Sequence, residues 1–342
     1  MLDETVFAEY YPFNKVNREF LPVLLEAMTF SEREQGHVLF EAQENQPVAF
    51  YLLQGQLLCE YPEGKQRTIK GGSLQSRYPV GDLNTQKRFQ ATVASPKARL
   101  MHMDSTLIDH FTVWNDVYDK APEHSPLRGH HSYRWVLGLL NNSVVRMLPR
   151  GHVHDLFSNL EAVPVSAGEE VIAEGDAGDD CYVIARGQAC VYRCGADGEA
   201  QVADLTEGDL FGENALVSQE PRNASVRMTT DGLLMRLDGR SFAALLKSHV
   251  VRWLNPEDVV QLLAEGAQLI DVRPPGELDS LDCLNIPLES IREHSQQLSR
   301  DTPLITCCAD GQRSASAAYI LATLGFDVYA LQGGVSRLLR LL

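Results

Sequence analysis

The stretch Leu304-Ile305-Thr306-Cys307-Cys308-Ala309-Asp310-Gly311-Gln312-Arg313-Ser314 carries the strongest structural signal in the chain. Its apolar start predicts a strand, and the alanine-rich run from Ser314 to Leu324 predicts a helix. Cys308 therefore sits where a strand hands over to a helix. At such a turn, backbone N–H groups and the positive end of the helix dipole form an anion cradle. A thiol held there is expected to be present as thiolate. Gly311 allows the tight turn, and Arg313 adds a fixed positive charge. Cys307, by strand alternation, points away from Cys308 and reads as a structural residue.

The surroundings continue the pattern. Asn255-Pro256-Glu257-Asp258 predicts a helix start, with proline at the first helical position and acids in the first turn. Gly266 ends that helix, Leu269 to Arg273 predicts a buried strand, and Phe326 to Leu331 predicts another. Strands alternating with helices imply an α/β unit with a parallel sheet covered on both faces. The Cys-x4-Arg loop, Asp271-Val272-Arg273, Glu277, Asn285-Ile286-Pro287 and Gln332-Gly333-Gly334 together resemble the rhodanese family of sulfurtransferases. Cysteine-dependent phosphatases use a similar cradle with one more residue between Cys and Arg. The resemblance implies a catalytic loop of Cys308, Asp310, Gly311 and Arg313, a persulfide on Cys308, and no metal. There is one departure. Asp279-Ser280-Leu281-Asp282-Cys283-Leu284 stands where the family usually has a Gly-His-Ile stretch, which bears on the substrate-access edge. Asp310 also places a negative charge where thiosulfate users tend to carry a basic or neutral residue.

The preceding region has a different texture. Gly168, Gly175, Gly187, Gly208 and Gly212 punctuate short apolar runs such as Tyr182-Val183-Ile184 and Ala189-Cys190-Val191-Tyr192. Short strands with glycine turns predict a β-barrel or jelly roll. Phe211-Gly212-Glu213-Asn214-Ala215-Leu216, then Pro221-Arg222-Asn223-Ala224-Ser225-Val226, resemble the phosphate-binding cassette of cyclic nucleotide-binding domains. Gly212 lets the backbone approach a phosphate, and a short helix beginning near Glu213 aims N–H groups at it. Arg222 can pair with phosphate oxygens through two N–H donors. Glu213, acceptor-only when ionised, can take a ribose 2′-hydroxyl proton. The resemblance thus implies a ligand site of Gly212, Glu213, Asn214, Ala215, Arg222, Asn223 and Ala224. Cyclic AMP is the expected regulatory ligand, with cyclic GMP possible because Asn223 does not separate the two.

An internal repeat extends this. Residues 36–60 align without gaps on 168–192, pairing Phe50-Tyr51-Leu52 with Tyr182-Val183-Ile184 and Gly55-Gln56 with Gly187-Gln188. Gly81-Asp82-Leu83 then matches Gly208-Asp209-Leu210. The first copy fails at the cassette: Asn84 to Phe89 is short, and Arg88 falls one position off the phosphate arginine. The expected organisation is a degenerate cyclic nucleotide-binding-like domain at 1–112, a linker at 113–134, a cyclic nucleotide-binding domain at 135–252 and a rhodanese-like domain at 253–342.

Composition bounds the function. A net charge of −16 opposes binding to nucleic acid or to an anionic membrane. No apolar run is long enough to span a bilayer, and seven cysteines without a signal peptide argue for reduced thiols. The expectation is a cytoplasmic protein, with homodimerisation possible. His124, His130, His131, His152 and His154 lack the carboxylate or cysteine partners of a usual metal set. The overall expectation is a sulfurtransferase moving sulfur from thiosulfate or a persulfide donor to a thiol or cyanide acceptor, under cyclic nucleotide control. The alternative is a non-catalytic sensor or docking protein whose rhodanese-like domain carries persulfide to a partner. The barrel is followed by no helix-turn-helix, which argues against a transcription regulator. The helix after the barrel, Ser241 to Leu246, is expected to run on through His249 to Leu254, with Trp253 at a hinge.

Overall fold

The computed structural model describes residues 4–44, 47–81, 83, 87–123, 125, 127–128, 133–195, 198–277 and 283–341. The chain divides into two units, Met1–Leu140 and Asn141–Leu342. Each is described by itself.

The first unit is built on two antiparallel sheets. One has the strand order Thr29–Glu34, Lys97–Asp104, Val48–Gln54; the other runs Val38–Phe40, Gln90–Val93, Gln56–Glu60, Gln66–Lys70. The alternating inward residues Leu52, Leu57, Cys59, Ala91 and Leu100 meet between the sheets and close a dry core with Phe40. Asp104 caps the helix Ser105–Lys120 by accepting from the N–H groups of Thr106 and Leu107. That helix runs through the first part of the stretch expected to be a linker. The expectation failed because Val113, Trp114, Val117 and Tyr118 are all buried, and their helical spacing gives this segment a core-facing stripe. His124, His130 and His131 lie outside the described residues.

The second unit begins with a barrel of the same design. Its sheets have the orders Leu210–Phe211, Asp180–Arg186, Gly232–Asp238, Glu161–Val165 and Gly198–Leu205, Ala189–Gly195, Ser225–Met228, Glu170–Ile172, all antiparallel. A five-stranded, all-parallel sheet follows, in the order Trp253–Leu254, Val328–Leu331, Leu304–Cys307, Gln268–Asp271, Leu284–Asn285. Its central strand, Leu304–Cys307, is buried at every residue, as expected of a parallel strand covered on both faces.

One expectation is corrected here. The helix after the second barrel ends at Val250, and Trp253–Leu254 is an edge strand of the parallel sheet. Ala330 N–H donates to Arg252 O and Gln332 N–H to Leu254 O, each at 2.8 Å. These ladder bonds, and Pro256 disfavouring a helical Asn255, outweigh continuation of the helix. Trp253 therefore belongs to the sheet, not to a helical hinge.

Candidate catalytic loop and nucleotide cassette

Cys308 follows the central strand, and the helix Gln312–Thr323 begins four residues later. Gly311 caps that helix with φ +98°, a left-handed conformation that a side chain would strain. The turn brings two backbone donors onto the sulfur: Gly311 N–H at 3.1 Å and Ser314 N–H at 3.3 Å from Cys308 Sγ. Ser314 Oγ lies 3.6 Å away and Asp310 Oδ1 3.5 Å away. The cradle expected from strand, glycine and helix is present, but the thiol has no exposed surface at all. Gly334 closes it from behind. A side chain at Gly334 would collide with the carbonyl of Ala309, and Val335 N–H donates to Cys308 O at 2.8 Å.

Asp310 accepts from Gln312 N–H at 3.0 Å, and this bond holds its carboxyl below the ordinary carboxylate range. The loop thus carries a firm negative charge beside the sulfur. Arg313 makes its ion pair outside the cradle. Its guanidinium forms a two-pronged pair with Glu277, at 3.2 and 2.5 Å. Glu277 is held low by that pairing. Trp253 reaches the same region, its ring edge 3.7 Å from where a Cβ on Gly311 would sit.

Cys307 faces the other side of its strand, as alternation requires. It is hydrogen-bonded to Cys283, and that contact together with burial pushes its thiol well up. Residues 279–282 of the unusual stretch lie outside the described residues.

The cassette is built by a left-handed turn at Gly212, φ +83°, leading into the helix Glu213–Ser218. A Cβ at Gly212 would come within 2.8 Å of Ile172 Cδ1 and 3.0 Å of Arg222 Nη1. The position is therefore one where only glycine leaves room. Arg222 is buried, and donates from Nη1 to Gly212 O at 2.5 Å and from Nη2 to Asp180 O at 2.7 Å. Its backbone is clamped by Gly175 N–H to Arg222 O and Arg222 N–H to Asp176 O. Glycine, cassette helix and arginine thus converge, which is the donor set a cyclic phosphodiester requires. Glu213 stands beside them, 17 % exposed, and burial raises its carboxyl above the usual range.

Two cavities flank the cassette. The larger, about 970 Å³, carries Asp179, Asp180, Glu220 and Asp238 against one cation, Arg240, in its lining, a balance unfavourable to phosphate. The smaller, about 140 Å³, is lined by Asn214, Ala215 and Asn223 of the expected site, with Arg193 and Arg292 and the acids Glu220, Glu289 and Glu293. Ala224 is buried. Among the described residues no group of three or more His, Cys, Asp or Glu could hold a metal ion, and no helix is long and apolar enough to cross a membrane.

Sequence reasoning missed the residues that join cassette and catalytic loop. Ser316, on the helix that starts at the cradle, donates to Val217 O in the cassette helix at 2.5 Å. Phe242 and Tyr319 pack with ring centroids 6.0 Å apart. Arg292, in the helix Ile291–His294, donates to Asn214 Oδ1 at 2.7 Å. No local pattern marks these contacts, because each partner lies many residues away.

The chain was compared with known proteins. Residues 162–249 match the cyclic nucleotide-binding domain, and residues 255–340 match the rhodanese-like domain. A cAMP-dependent protein kinase regulatory subunit from Blastocladiella emersonii is 34% identical over 113 residues, 33% of this chain and 28% of that protein. One from Aspergillus niger is 39% identical over 87 residues, 25% of this chain and 21% of that protein. The chain thus spans less than a third of either relative. Among solved structures, the regulatory domain of Toxoplasma gondii PKA with cAMP aligns over 77% of this chain and 95% of its own, at 20% identity and a TM-score of 0.32. At that score the superposition carries no weight.

Proposed function

Because the chain carries a cyclic nucleotide-binding domain followed by a rhodanese-like domain, we propose that it is a sulfurtransferase whose turnover is set by a cyclic nucleotide, cyclic AMP in the first instance. One observation carries the coupling. The cassette helix Glu213–Ser218 packs on the helix Gln312–Thr323, the same helix whose first turn donates to Cys308 Sγ. A ligand that repositions the cassette pushes on the cradle without an intervening linker. It can shift the cradle only by its differential affinity for two arrangements.

The chemistry is a two-step covalent transfer. Cys308 thiolate attacks the outer sulfur of a donor. The donor S–S bond breaks and its electron pair leaves on the thiolate or sulfite. The resulting Cys308 persulfide is attacked at its outer sulfur by an acceptor thiolate or cyanide, and Cys308 leaves as thiolate. The Gly311 and Ser314 N–H groups stabilise the anionic sulfur throughout. Asp310 opposes a dianionic donor, and Arg313 is already charge-balanced by Glu277. A persulfide of a small thiol therefore suits the loop better than thiosulfate.

The complete burial of Cys308 favours a second reading, in which the domain stores a persulfide for a docking partner rather than turning over freely. Donor turnover separates the two. With cysteine persulfide and cyanide, wild type is expected to turn over and Cys308→Ser to be inactive. Saturating cyclic AMP is expected to change the wild-type rate at least about fivefold, the low end of typical couplings, and to leave Arg222→Ala unchanged. Stoichiometric loading of Cys308 without turnover would select the carrier. Equal rates with and without nucleotide would sink the regulatory link.

A further inference from the structure

Part of the lining of the smaller cavity comes from outside the barrel. Leu288, Glu289, Arg292 and Glu293, all from the rhodanese-like domain, face Asn214, Ala215 and Asn223 across it. Arg292 reaches furthest, donating to Asn214 Oδ1 at 2.7 Å and lying 3.9 Å from Glu213 Oε1. Arg222 also acts on the Glu213 carboxylate electrostatically. Burial opposes its charge, and those two guanidiniums are the side chains that favour it. Arg222 is committed to two backbone carbonyls. Arg292 is therefore the cation available to orient the carboxylate.

A carboxyl group grips a ribose hydroxyl most strongly as an ionised acceptor facing the ligand. Protonation weakens that contact, and rotation away from the ligand gives it up. We propose that Arg292 is a positioning residue for the nucleotide site, keeping Glu213 charged and aimed at the 2′-hydroxyl of the ligand. The rhodanese-like domain would then complete the specificity of the nucleotide-binding domain. This rests on the assignment of Glu213 and Arg222 to a cyclic nucleotide site.

The test measures affinity for cyclic AMP and for 2′-deoxy cyclic AMP by calorimetry on the full chain. Wild type is expected to prefer the ribose form about tenfold or more, the discrimination of a hydrogen bond to a charged acceptor. Arg292→Ala is expected to collapse that ratio toward the value of Glu213→Gln, while Arg292→Lys recovers part of it. A thermal melt of each variant checks folding, and Arg292→Gln serves if the alanine variant fails to fold. An unchanged ratio in a folded Arg292 variant, even with weaker binding of both ligands, overturns the proposal and makes the arginine structural. Tighter binding of both ligands makes it an obstruction and also overturns it. Wild type that binds neither nucleotide, or does not separate them, overturns the site assignment itself and the proposal with it.

Discussion

The two barrels solve one problem with different residues. In the second, Phe211 pairs with Tyr182 and Gly212 follows; in the first, Val80 bridges to Phe50 and Gly81 follows. Both glycines have φ +83°. A Cβ on either would press on the equivalent core residue, Ile172 or Phe40. Strand register extends the match. Ala189 pairs with Met228 and Val191 with Val226, while Leu57 pairs with Val93 and Cys59 with Ala91. Stepping back along each strand places Lys87 where Arg222 stands. Lys87 Nζ donates to Val48 O at 3.1 Å, and Arg222 Nη2 donates to Asp180 O, the aligned carbonyl. The alignment of Gly81 with Gly208 is therefore corrected to Gly212, and the cation of the first copy is Lys87 rather than Arg88. The lesson is that the anchor of the cassette outlives the cassette. Lys87 is 1 % exposed, lies over the Phe40 ring and fills the first barrel from within. A flexible ammonium satisfies that carbonyl, but lacks the fork that grips two phosphate oxygens.

The largest expected contrast is in ligand affinity. Arg222→Ala is expected to cost about 2–5 kcal/mol of nucleotide binding, as for removal of one partner of a buried charge pair. Lys87→Ala is expected to leave that affinity unchanged and to lower stability by about 1–3 kcal/mol, from the carbonyl left unpaired. Calorimetric binding and denaturant melts measure both. Nucleotide binding that depends on Lys87 would break the comparison.

A second contrast concerns the glycines. Gly212→Ala and Gly81→Ala are each expected to destabilise by about 1–2 kcal/mol from the left-handed backbone alone. Only the Gly212 variant is expected to lose nucleotide affinity as well, because its Cβ also meets Arg222. Equal losses of stability with unequal losses of binding would sharpen the assignment.

A third test changes the cation. Lys87→Arg restores the guanidinium, yet five residues separate Gly81 from Lys87 where nine separate Gly212 from Arg222. Binding stoichiometry is expected to stay at one nucleotide per chain. A second site would show that the cation alone decides.

The smallest effect is on the pH dependence of stability. Burial raises Glu213, so the folded, ligand-free protein binds this proton more tightly than the unfolded chain does. Stability contributed at this position is present below the unfolded carboxylate value, and falls as pH rises through the higher folded one. Glu213→Gln is expected to remove that slope. Its melting temperature should match wild type in acidic buffer and exceed it at alkaline pH, measured without nucleotide. A wild-type profile no steeper than the mutant's would mean that Glu213 is not strained by burial.

What could be read in advance was local. The cradle of Cys308 depends on a strand, a glycine and a helix start within eleven residues, and all three left marks in composition. The Gly212 turn and the place of Arg222 were legible for the same reason. The register of the first barrel is misleading in sequence because Gly81-Asp82-Leu83 matches Gly208-Asp209-Leu210 letter for letter, whereas the true counterpart Gly212 is followed by Glu213, and only strand pairing reveals it. Trp253–Leu254 is a strand of two residues, too short to carry a period, and it is defined by Val328–Leu331 beside it. The pairing of Arg313 with Glu277 joins residues 36 apart in the chain, and a motif match to each says nothing of their charge balance. Ser316 with Val217, and Arg292 with Asn214, are tertiary contacts for which a single sequence holds no periodic trace.

The thiol of Cys308 has no surface of its own, and that turns an ordinary reagent into a stopwatch. An alkylating agent can mark this sulfur only during the moments when the loop parts, so its labelling rate counts openings. The same shielding guards the sulfur from stray oxidants while the loop stays closed. A resting molecule would keep its thiol unspent, and the frequency of its opening, rather than the strength of its nucleophile, would govern how often it fires.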